Sequence, residues 1–367
     1  MQRLLKVIIS GGGTGGHIFP AVSIANAIRK IEPAAEILFI GALGKMEMEK
    51  VPRAGYKIVG LPIAGLQRSA SVKNLSLPFK VVNSLMKAVS IVRSFKPGVV
   101  VGVGGYASGP VLFAAGLMGI PTLIQEQNSY AGITNKILAR RAKKICVAYE
   151  GMEAFFPAKK ITVTGNPVRK DILDIEGKRL EGLQYFNLHP NRKTILVIGG
   201  SLGARTINQS IAAHLNKLVN ENVQVLWQTG KSYFESNAAA AKGFEEKIVV
   251  REFIDRMDLA YAVADIVISR AGALSIAELC VTKKPCVLVP SPNVAEDHQT
   301  KNAMALVVKD AALLVKDAEA KEKLVDITLQ LLKDKMLQQK LSGNISMFAR
   351  PHADNDIARE VIKLTHT

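Results

Sequence analysis

Apolar residues along the chain fall into short continuous runs, and segments with the periodicity of a helix separate these runs. The runs predict strands at Lys6–Ser10, Glu36–Ile40, Val99–Val103, Thr122–Ile124, Lys144–Val147 and Ile161–Thr164 in the first half, and at Thr194–Ile198, Gln224–Gln228, Ile248–Arg251, Ile266–Ser269 and Cys286–Val289 in the second. Strands that are apolar on both faces are typical of a parallel sheet covered by helices. Their alternation with helices predicts right-handed βαβ units and an α/β fold with doubly wound parallel sheets.

The second half of the chain repeats the opening of the first. Residues 5–16 and residues 194–205 each read as a strand, a glycine-rich loop and the start of a helix. This repeat predicts two Rossmann-like domains that face each other. Glycine and proline interrupt the pattern at Gly165–Arg169, so we place the first domain at residues 1–166 and the second at residues 167–342. Residues 343–367 predict a charged tail, helical from about Asn355, that we expect to pack back on the first domain.

One segment has the length and hydropathy of a membrane span. No charged residue occurs between Lys96 and Glu126. Glycine and proline nevertheless divide this segment into a strand, a loop, a helix and a second strand. That division is typical of a covered parallel sheet, and we prefer it to the transmembrane interpretation.

The charge of the chain indicates an anionic partner. Among 367 residues, 48 Lys and Arg against 31 Asp and Glu leave a formal net charge of +17. Nucleic acid, an anionic membrane surface and phosphorylated ligands would each account for this excess. A nucleic-acid-binding module is disfavoured, because the chain has one Trp, aromatic residues make up only 5%, and no basic run is interleaved with aromatic residues.

The cysteines and the N-terminal residues indicate a reducing compartment. Cys146, Cys280 and Cys286 are the three cysteines, and none forms a CxxC pair, so neither a zinc site nor a disulfide framework is indicated. The apolar start of the chain runs into glycine too soon for a signal peptide. We therefore expect the protein in the cytoplasm.

The first glycine loop matches a dinucleotide-binding fingerprint at Gly11-x-Gly13-x-x-Gly16. The acid expected at the end of the second strand is missing, because Gly41-Ala42 follows Ile40, and this disfavours a nicotinamide site. What remains is a cradle for a phosphate or another polar group, with backbone N–H groups from Thr14 to Gly16. A glycine turn that merely connects strand to helix is the alternative.

His17 follows this loop at the start of the predicted helix. The positive end of a helix disfavours an imidazolium, so the ring stays neutral and able to accept a proton near pH 7. His17 is therefore a candidate general base. A capping or packing histidine is the alternative.

The second half carries two further loops of this kind. Gly199–Arg205 adds the hydroxyl of Ser201 and the guanidinium of Arg205, which we place one helical turn along. The strand, small-residue loop and helix of residues 266–278 offer free N–H groups to a diphosphate. Glu278, one turn into that helix, is suited to accept hydrogen bonds from ribose hydroxyls, although a capping box with Ser275 is the alternative. These features predict a site for a nucleotide diphosphate.

No pattern of metal ligands is visible, and no cofactor is predicted. The Asp354-Asn355-Asp356 sequence starts the terminal helix and predicts an N-cap rather than a metal site. A diphosphate leaving group would then be neutralised by helix termini and by Arg or Lys. The absence of a GxxxxGK[ST] motif disfavours phosphoryl transfer from ATP.

From end to end, the chain resembles the MurG family of bacterial GlcNAc transferases, which convert lipid I to lipid II in peptidoglycan synthesis. The motifs that carry this resemblance are Gly12–Pro20, Gly104–Pro110, Gln125–Asn128, Thr164–Arg169, Gly199–Arg205, Glu252–Met257, Arg270–Glu278 and Asp297–Ala303. Many spaced motifs in the same order are far more specific than any single glycine loop.

The resemblance implies a GT-B fold in which the first domain binds the lipid acceptor, the second binds UDP-GlcNAc, and the reaction takes place in the central cleft. It also implies inverting, metal-independent transfer. The substrate-binding residues that it implies are Thr14, Gly15, Gly16, Tyr106, Asn128, Arg169, Ser201, Ile254, Ala273, Leu274, Ser275, Glu278 and Gln299. Where some members have a Gln-Gln pair, this chain has His298-Gln299. The resemblance therefore does not identify the side chain that makes one of the sugar contacts.

The mechanism that the resemblance implies is a single displacement. The 4-hydroxyl of MurNAc attacks the anomeric carbon of GlcNAc and expels UDP, with helix N-termini near Ser201 and Ala273 facing the departing diphosphate. We predict His17 as the base, with Glu126 as the alternative. A UDP-GlcNAc epimerase, which shares the fold and the donor but has no lipid acceptor, is the alternative function.

A polyprenyl acceptor implies contact with the membrane. An amphipathic helix is predicted over Phe79–Val92, and the apolar residues of its segment are Leu75, Leu77, Phe79, Val82, Leu85, Met86 and Val89. Basic residues are interspersed there and recur at Arg140–Lys144. We therefore expect a peripheral enzyme on the cytoplasmic face of the bacterial inner membrane, held by its anionic surface, with cell-wall synthesis proteins as further partners. A core-facing helix is the alternative.

Overall fold

The computed structural model describes residues 4–13, 15–63, 77–200 and 202–365. The chain divides into two compact units. The first unit comprises the residues up to Val168 together with the C-terminal residues from His352, and the second comprises Arg169–Pro351.

The described part of the first unit contains a seven-stranded parallel sheet in the order β3-β2-β1-β4-β5-β6-β7. In chain order its elements are β1 (Lys6–Ser10), α1 (Gly15–Ile31), β2 (Glu36–Ala42), α2 (Glu47–Arg53), β3 (Lys57–Leu61), α3 (Leu77–Phe95), β4 (Val99–Gly102), α4 (Ser108–Leu117), β5 (Thr122–Glu126), α5 (Ile133–Ala139), β6 (Lys144–Val147) and β7 (Ile161–Val163).

Two apolar clusters cover the two faces of this sheet. Val7 and Ile9 of β1 pack with Ile24 of α1 on one face, whereas Ile8 packs with Val111 of α4 on the other. Successive side chains of a strand point to opposite faces. A strand that is buried on both faces must therefore be apolar at every position, which is why β1 reads as a continuous apolar run.

The second unit repeats this construction with six described strands in the order β10-β9-β8-β11-β12-β13. Its elements are α6 (Lys170–Leu173), α7 (Arg179–Phe186), β8 (Lys193–Ile198), α8 (Arg205–Ala213), α9 (Leu215–Asn220), β9 (Val223–Gln228), α10 (Phe234–Ala240), β10 (Ile248–Arg251), α11 (Met257–Val263), β11 (Ile266–Ser269), α12 (Ala273–Thr282), β12 (Cys286–Leu288), α13 (His298–Val307), β13 (Leu313–Leu314), α14 (Ala320–Lys333) and α15 (Lys335–Ser346).

The C-terminal helix α16 (Ala353–Lys363) belongs to the first unit. Ile357 and Val361 lie in the same apolar cluster as Ile24 of α1. An ion pair of 3.4 Å joins Glu360 to Lys144 of β6. The chain therefore returns to the first unit after completing the second.

The boundaries of this last segment differ from the sequence prediction. The second unit continues to Pro351, beyond the predicted residue 342, because α15 runs to Ser346 with Leu341 and Ile345 buried. The terminal helix begins at Ala353, so Asp354 and Asp356 lie in its first turn and His352 takes the capping position. The predicted N-cap at residues 354–356 is therefore wrong.

The α/β fold with two doubly wound parallel sheets is confirmed, and the predicted strands are found. Of the strands in the described residues, β3 and β13 were not predicted. The uncharged segment between Lys96 and Glu126 forms β4, α4 and β5. Among the described helices, none has the length and apolar character that crossing a membrane requires.

Candidate active site

In each parallel sheet the order of successive strands reverses beside the first strand of the unit. β1 lies between β2 and β4, and β8 lies between β9 and β11. Loops at the carboxyl ends of strands at such a point form the ligand crevice of open α/β sheets. The predicted glycine loops lie at these two places.

In the first unit, two glycine loops pack backbone against backbone. The N–H of Gly12 donates to the carbonyl of Gly104 over 3.3 Å. Gly105 has φ +84°, and a side chain there would overlap the carbonyl of Gly12. The loop after β1 and the loop after β4 therefore require glycine where they meet.

His17 lies between these loops, on the first turn of α1. A Cβ atom on Gly104 would lie 2.8 Å from both Cδ2 and Nε2 of His17, so only glycine leaves room for the ring. The imidazole is half-buried. Gly15 and Gly16, the first two residues of α1, precede it, and Thr14 lies outside the described residues.

Glu126, the alternative base, ends β5 with its carboxylate only 3% exposed. One oxygen accepts from the backbone and side-chain nitrogens of Asn128, and the other accepts from Gly132 N–H over 3.2 Å and from Asn135 Nδ2 over 2.8 Å. Burial raises the pKa of Glu126, and these hydrogen bonds act in the opposite direction. Four donors on two oxygens make this carboxylate the anchor of the loop that follows β5.

A buried amide network underlies the same loop. Gln127 Nε2 donates to Val103 O over 2.8 Å and to Gln125 Oε1 over 2.6 Å. Gln125 Nε2 donates to Asn166 Oδ1, whose Nδ2 donates to Gln127 O. The network joins β5 to Asn166 near the end of the first unit. Tyr106, by contrast, is exposed just before α4.

The second unit contains a cavity of about 720 Å³ at the ends of β8, β11 and β12. It is lined by polar and small residues from these loops, namely Gly199, Gly200, Leu202, Gly203, Ala204, Arg205, Thr206, Gln209, Tyr233, Arg270, Gly272, Ser275, Ser291, Pro292, Asn293, Gln299 and Asp317. Ser275 and Gln299 are the predicted substrate-binding residues on this wall. Ser201 lies outside the described residues.

Two arginines, Arg205 and Arg270, line this cavity. Arg205 is the first residue of α8, not one turn along it as predicted. Arg270 donates to Asp317 over 2.5 Å and to the carbonyls of Val289 and Pro290. Thr206 donates to the second oxygen of Asp317, so this carboxylate joins the start of α8 to the end of β11. Arg270 therefore braces the wall of the cavity.

Gln228, which was not predicted, links the glycine loop to Ile254. Its Nε2 donates to Gly200 O over 3.2 Å, and its Oε1 accepts from the N–H of Ile254 over 2.9 Å. The backbone N–H of Ile254 is therefore engaged within the protein.

Glu278 lies on α12, the helix that begins at Ala273 after Gly272. Its Oε2 accepts from the hydroxyl of Tyr261 over 3.0 Å. Ser275 is not the N-cap of this helix, so the capping-box alternative for Glu278 is wrong. Burial raises the pKa of Glu278 to about 7, while the Tyr261 hydrogen bond and the nearby Arg169 act in the opposite direction.

Three further residues of the second unit were predicted to bind substrate. Arg169 precedes α6 and pairs with Asp171 over 3.0 Å, and its Nε is buried without a hydrogen-bond partner in the described structure. Gln299 on α13 accepts from the N–H of Ser291 over 2.8 Å and so holds the loop after β12. Leu274 follows Ala273 on the half-buried first turn of α12.

The residues described contain no group of three or more His, Cys, Asp or Glu arranged to hold a metal ion. The polar groups at the glycine loops include backbone amides, the imidazole of His17, the guanidinium groups of Arg205 and Arg270, and the hydroxyl of Ser275. Such groups bind by hydrogen bonds and helix-terminal charge.

Two family models match the chain. The glycosyltransferase family 28 N-terminal domain matches residues 7–147, and the glycosyltransferase family 28 C-terminal domain matches residues 194–356. The chain belongs to glycosyltransferase family 28. Its family 28 membership identifies it as a glycosyltransferase, as the sequence predicted.

Curated relatives match this family 28 chain over its whole length. A protein of Bacteroides thetaiotaomicron is 58% identical over 99% of both chains. A protein of Cytophaga hutchinsonii is 57% identical over 100% of this chain and 98% of its own. Both are named UDP-N-acetylglucosamine–N-acetylmuramyl-(pentapeptide) pyrophosphoryl-undecaprenol N-acetylglucosamine transferase.

Solved structures agree on the fold. The crystal structure of Acinetobacter baumannii MurG has a TM-score of 0.78 at 28% identity and covers 98% of this chain and 99% of its own. The predicted resemblance to the MurG family and the GT-B type of fold are confirmed. A UDP-GlcNAc 2-epimerase from Neisseria meningitidis has a TM-score of 0.68 over 98% of this chain and 100% of its own, but at 15% identity that likeness shows the fold alone.

Proposed function

We propose that this protein transfers GlcNAc from UDP-GlcNAc to the 4-hydroxyl of MurNAc in undecaprenyl-pyrophosphoryl-MurNAc-pentapeptide, with inversion and without a metal ion, as a step of peptidoglycan synthesis. The observation that carries this proposal is full-length identity of 58% to relatives named for that donor and acceptor. The epimerase alternative rests on the fold alone.

The second unit holds the donor. The N-terminus of α12 and the glycine loop after β8 offer backbone N–H groups to the diphosphate, beside a cavity lined by Ser275 and Gln299. Glu278 accepts hydrogen bonds from the ribose hydroxyls, and Tyr261 orients its carboxylate. The remaining donor contacts that we infer are Thr14, Gly15, Gly16, Asn128, Arg169, Ser201, Ile254, Ala273 and Leu274.

The reaction is one displacement. The acceptor oxygen forms a bond to the anomeric carbon while the bond from that carbon to the diphosphate breaks, and UDP leaves with the electron pair. Helix N-termini stabilise the charge that develops on the diphosphate, by about 3 kcal/mol for each well-placed donor.

His17 takes the proton of the acceptor hydroxyl. It lies where the two glycine loops meet, with room for its ring provided by Gly104. Glu126 is the weaker candidate, because both of its oxygens already accept hydrogen bonds from the loop of Asn128 and Asn135. We assign Glu126 the role of holding that loop, and Tyr106 the role of contacting the acceptor from the loop after β4.

The first unit approaches an anionic membrane surface, because the acceptor is a polyprenyl lipid. On α3, Val82 and Met86 are exposed, by 55% and 61%. On α5, Ile133 and Ile137 are exposed on one face. Arg140, Arg141 and Lys143 follow α5 and are exposed. An apolar anchor with basic neighbours is the combination that holds peripheral proteins on anionic lipid.

Some residues of the predicted membrane patch have contacts within the protein instead. Leu85 and Val89 pack against the core, so their assignment to the patch is wrong. The amine of Lys144 pairs with Glu360, and the amine of Lys87 donates to Gly60 O. Both amines therefore have a partner within the protein. Leu75 and the side chains of Leu77 and Phe79 lie outside the described residues.

Release of UDP tests the function. We expect UDP to form only when UDP-GlcNAc and a lipid I analogue are both present, together with a disaccharide product. Formation of ManNAc from UDP-GlcNAc without acceptor would instead establish the epimerase.

A further inference from the structure

Glu47 is a buried carboxylate that the proposed mechanism does not use. It is only 1% exposed, at the start of α2. One oxygen, Oε2, accepts from the backbone N–H of Gly13 over 2.9 Å. The other, Oε1, accepts from the N–H of Ala42 over 2.9 Å. Hydrogen bonds to an ionised acceptor are about twice as strong as neutral ones.

The surrounding backbone is shaped to admit this side chain. Gly12 has φ +148°, and a side chain on it would overlap the carboxylate of Glu47. On the other side, a Cβ atom on Gly41 would lie 2.5 Å from Cγ of Glu47. Glycine on both sides therefore makes room for Glu47, and the first glycine loop is packed around it.

The position of this carboxylate matters for ligand binding. In dinucleotide-binding units the acid at the end of the second strand accepts from a ribose, and a ligand phosphate binds the glycine loop. Here β2 ends at Ala42 without an acid, and Glu47 reaches back to Ala42 and to Gly13. A protein carboxylate therefore holds the amide of Gly13.

We propose that Glu47 is a positioning residue of the first glycine loop, acting as an internal anion that fixes Gly12 and Gly13 and so sets the start of α1 and His17. This inference rests on the proposed function, in which His17 is the base. It follows that an external phosphate does not bind the amide of Gly13, and that the loop contacts ligands through the N–H groups at the start of α1.

The test compares Glu47→Gln with Glu49→Gln. Gln accepts from only one of the two N–H groups and turns its own amide N–H toward the other. Glu49 lies on the same helix, is exposed and pairs with Arg53, so its change removes the same charge without touching the loop. For Glu47→Gln we expect kcat for GlcNAc transfer to fall at least about tenfold. The Kd for UDP should stay within about twofold of wild type, because the residues that we propose for the ribose and the diphosphate lie in the second unit. Glu49→Gln should match wild type in both.

Hydrogen exchange at Gly13 provides a readout that does not depend on activity. We expect the Gly13 amide to be protected in the wild type and in Glu49→Gln, and to exchange faster in Glu47→Gln. Folded Glu47→Gln protein with wild-type kcat, or with unchanged exchange at Gly13, would overturn the inference. A wild-type protein without transfer activity would overturn the proposed function instead, and the exchange comparison would still decide the role of Glu47 in the loop.

A second pair of variants applies if Glu47→Gln does not fold. Gly12→Ala keeps glutamate at position 47 but introduces a side chain that overlaps its carboxylate. Gly44→Ala also places alanine at positive φ, +69°, but meets no atom within 4 Å. We expect Gly12→Ala to lose kcat as Glu47→Gln would, and Gly44→Ala to keep it. Equal kcat in these two variants would contradict the inference.

Discussion

The hydroxyl of Tyr261 donates a 3.0 Å hydrogen bond to Oε2 of Glu278. Tyr261 is fully buried on α11, and Glu278 lies on α12, so the bond joins the two helices that flank β11. It fixes the direction of one carboxylate oxygen and leaves the other to accept from a ligand. The donor site that we propose thus depends on a residue that does not itself reach the ligand.

Glu278→Ala should raise the donor KM at least about tenfold, because it removes a hydrogen-bonded charge that binds the ribose. In the wild type, donor KM should also rise as pH falls below about 7, since the carboxyl, whose pKa is raised to about 7, becomes protonated there. Steady-state kinetics between pH 6 and 8 measure both effects. An unchanged donor KM in the variant would remove Glu278 from the site.

Tyr261→Phe should raise donor KM by about fivefold and leave kcat close to wild type, because the lost bond only orients Glu278. Since the Tyr261 hydrogen bond lowers the pKa of Glu278, its loss should move the rise in donor KM to higher pH. Arg169, Asp171 and Tyr261 are the groups whose charge or hydrogen bond acts on this carboxyl. A pH profile that coincides with the wild type would contradict the positioning role.

His17→Ala should lower kcat by about 100-fold or more and change donor KM much less, because a general base acts in the transition state. Glu126→Gln should retain more activity than His17→Ala, since Gln still accepts part of the hydrogen bonds of the Asn128 loop. The pair is measured at saturating donor and acceptor. An unchanged kcat in His17→Ala together with a large loss in Glu126→Gln would reverse the two roles.

The local pattern of apolar residues was sufficient to predict most strands of the two sheets. Strands such as β1 are buried on both faces and so read as apolar runs, whereas β3 lies at the sheet edge, begins with Lys57 and contains Gly60. The glycine loops were also predicted from local pattern, because the signature of each loop is a contiguous stretch of the chain.

The residues that support those loops were not predicted. Glu47 binds Gly13, 34 residues away, and Gln228 binds Ile254, 26 residues away. Tyr261 and Glu278 come together only because two helices flank the same strand. Such contacts depend on which strands are neighbours and on where helices begin, and the hydrophobic pattern of a single sequence does not contain that information.

Val82→Glu combined with Met86→Glu should weaken binding to anionic vesicles by at least about tenfold, because two exposed apolar side chains are replaced by charges that anionic lipid repels. Binding of the wild type should fall as salt is added. Val308→Glu, at an exposed position of the second unit, is the control and should bind as the wild type does. Cosedimentation with phosphatidylglycerol vesicles measures this, and equal binding by all three proteins would place the membrane surface elsewhere.

The most direct test of the central claim is transfer of radiolabelled GlcNAc from UDP-GlcNAc to a short-chain lipid I analogue, compared with the same analogue lacking the MurNAc 4-hydroxyl. The proposed displacement predicts label in the acceptor and one UDP released for each sugar transferred with the complete analogue, and neither product with the 4-deoxy analogue. Equal UDP release with both analogues, or label that never enters the acceptor, would contradict it.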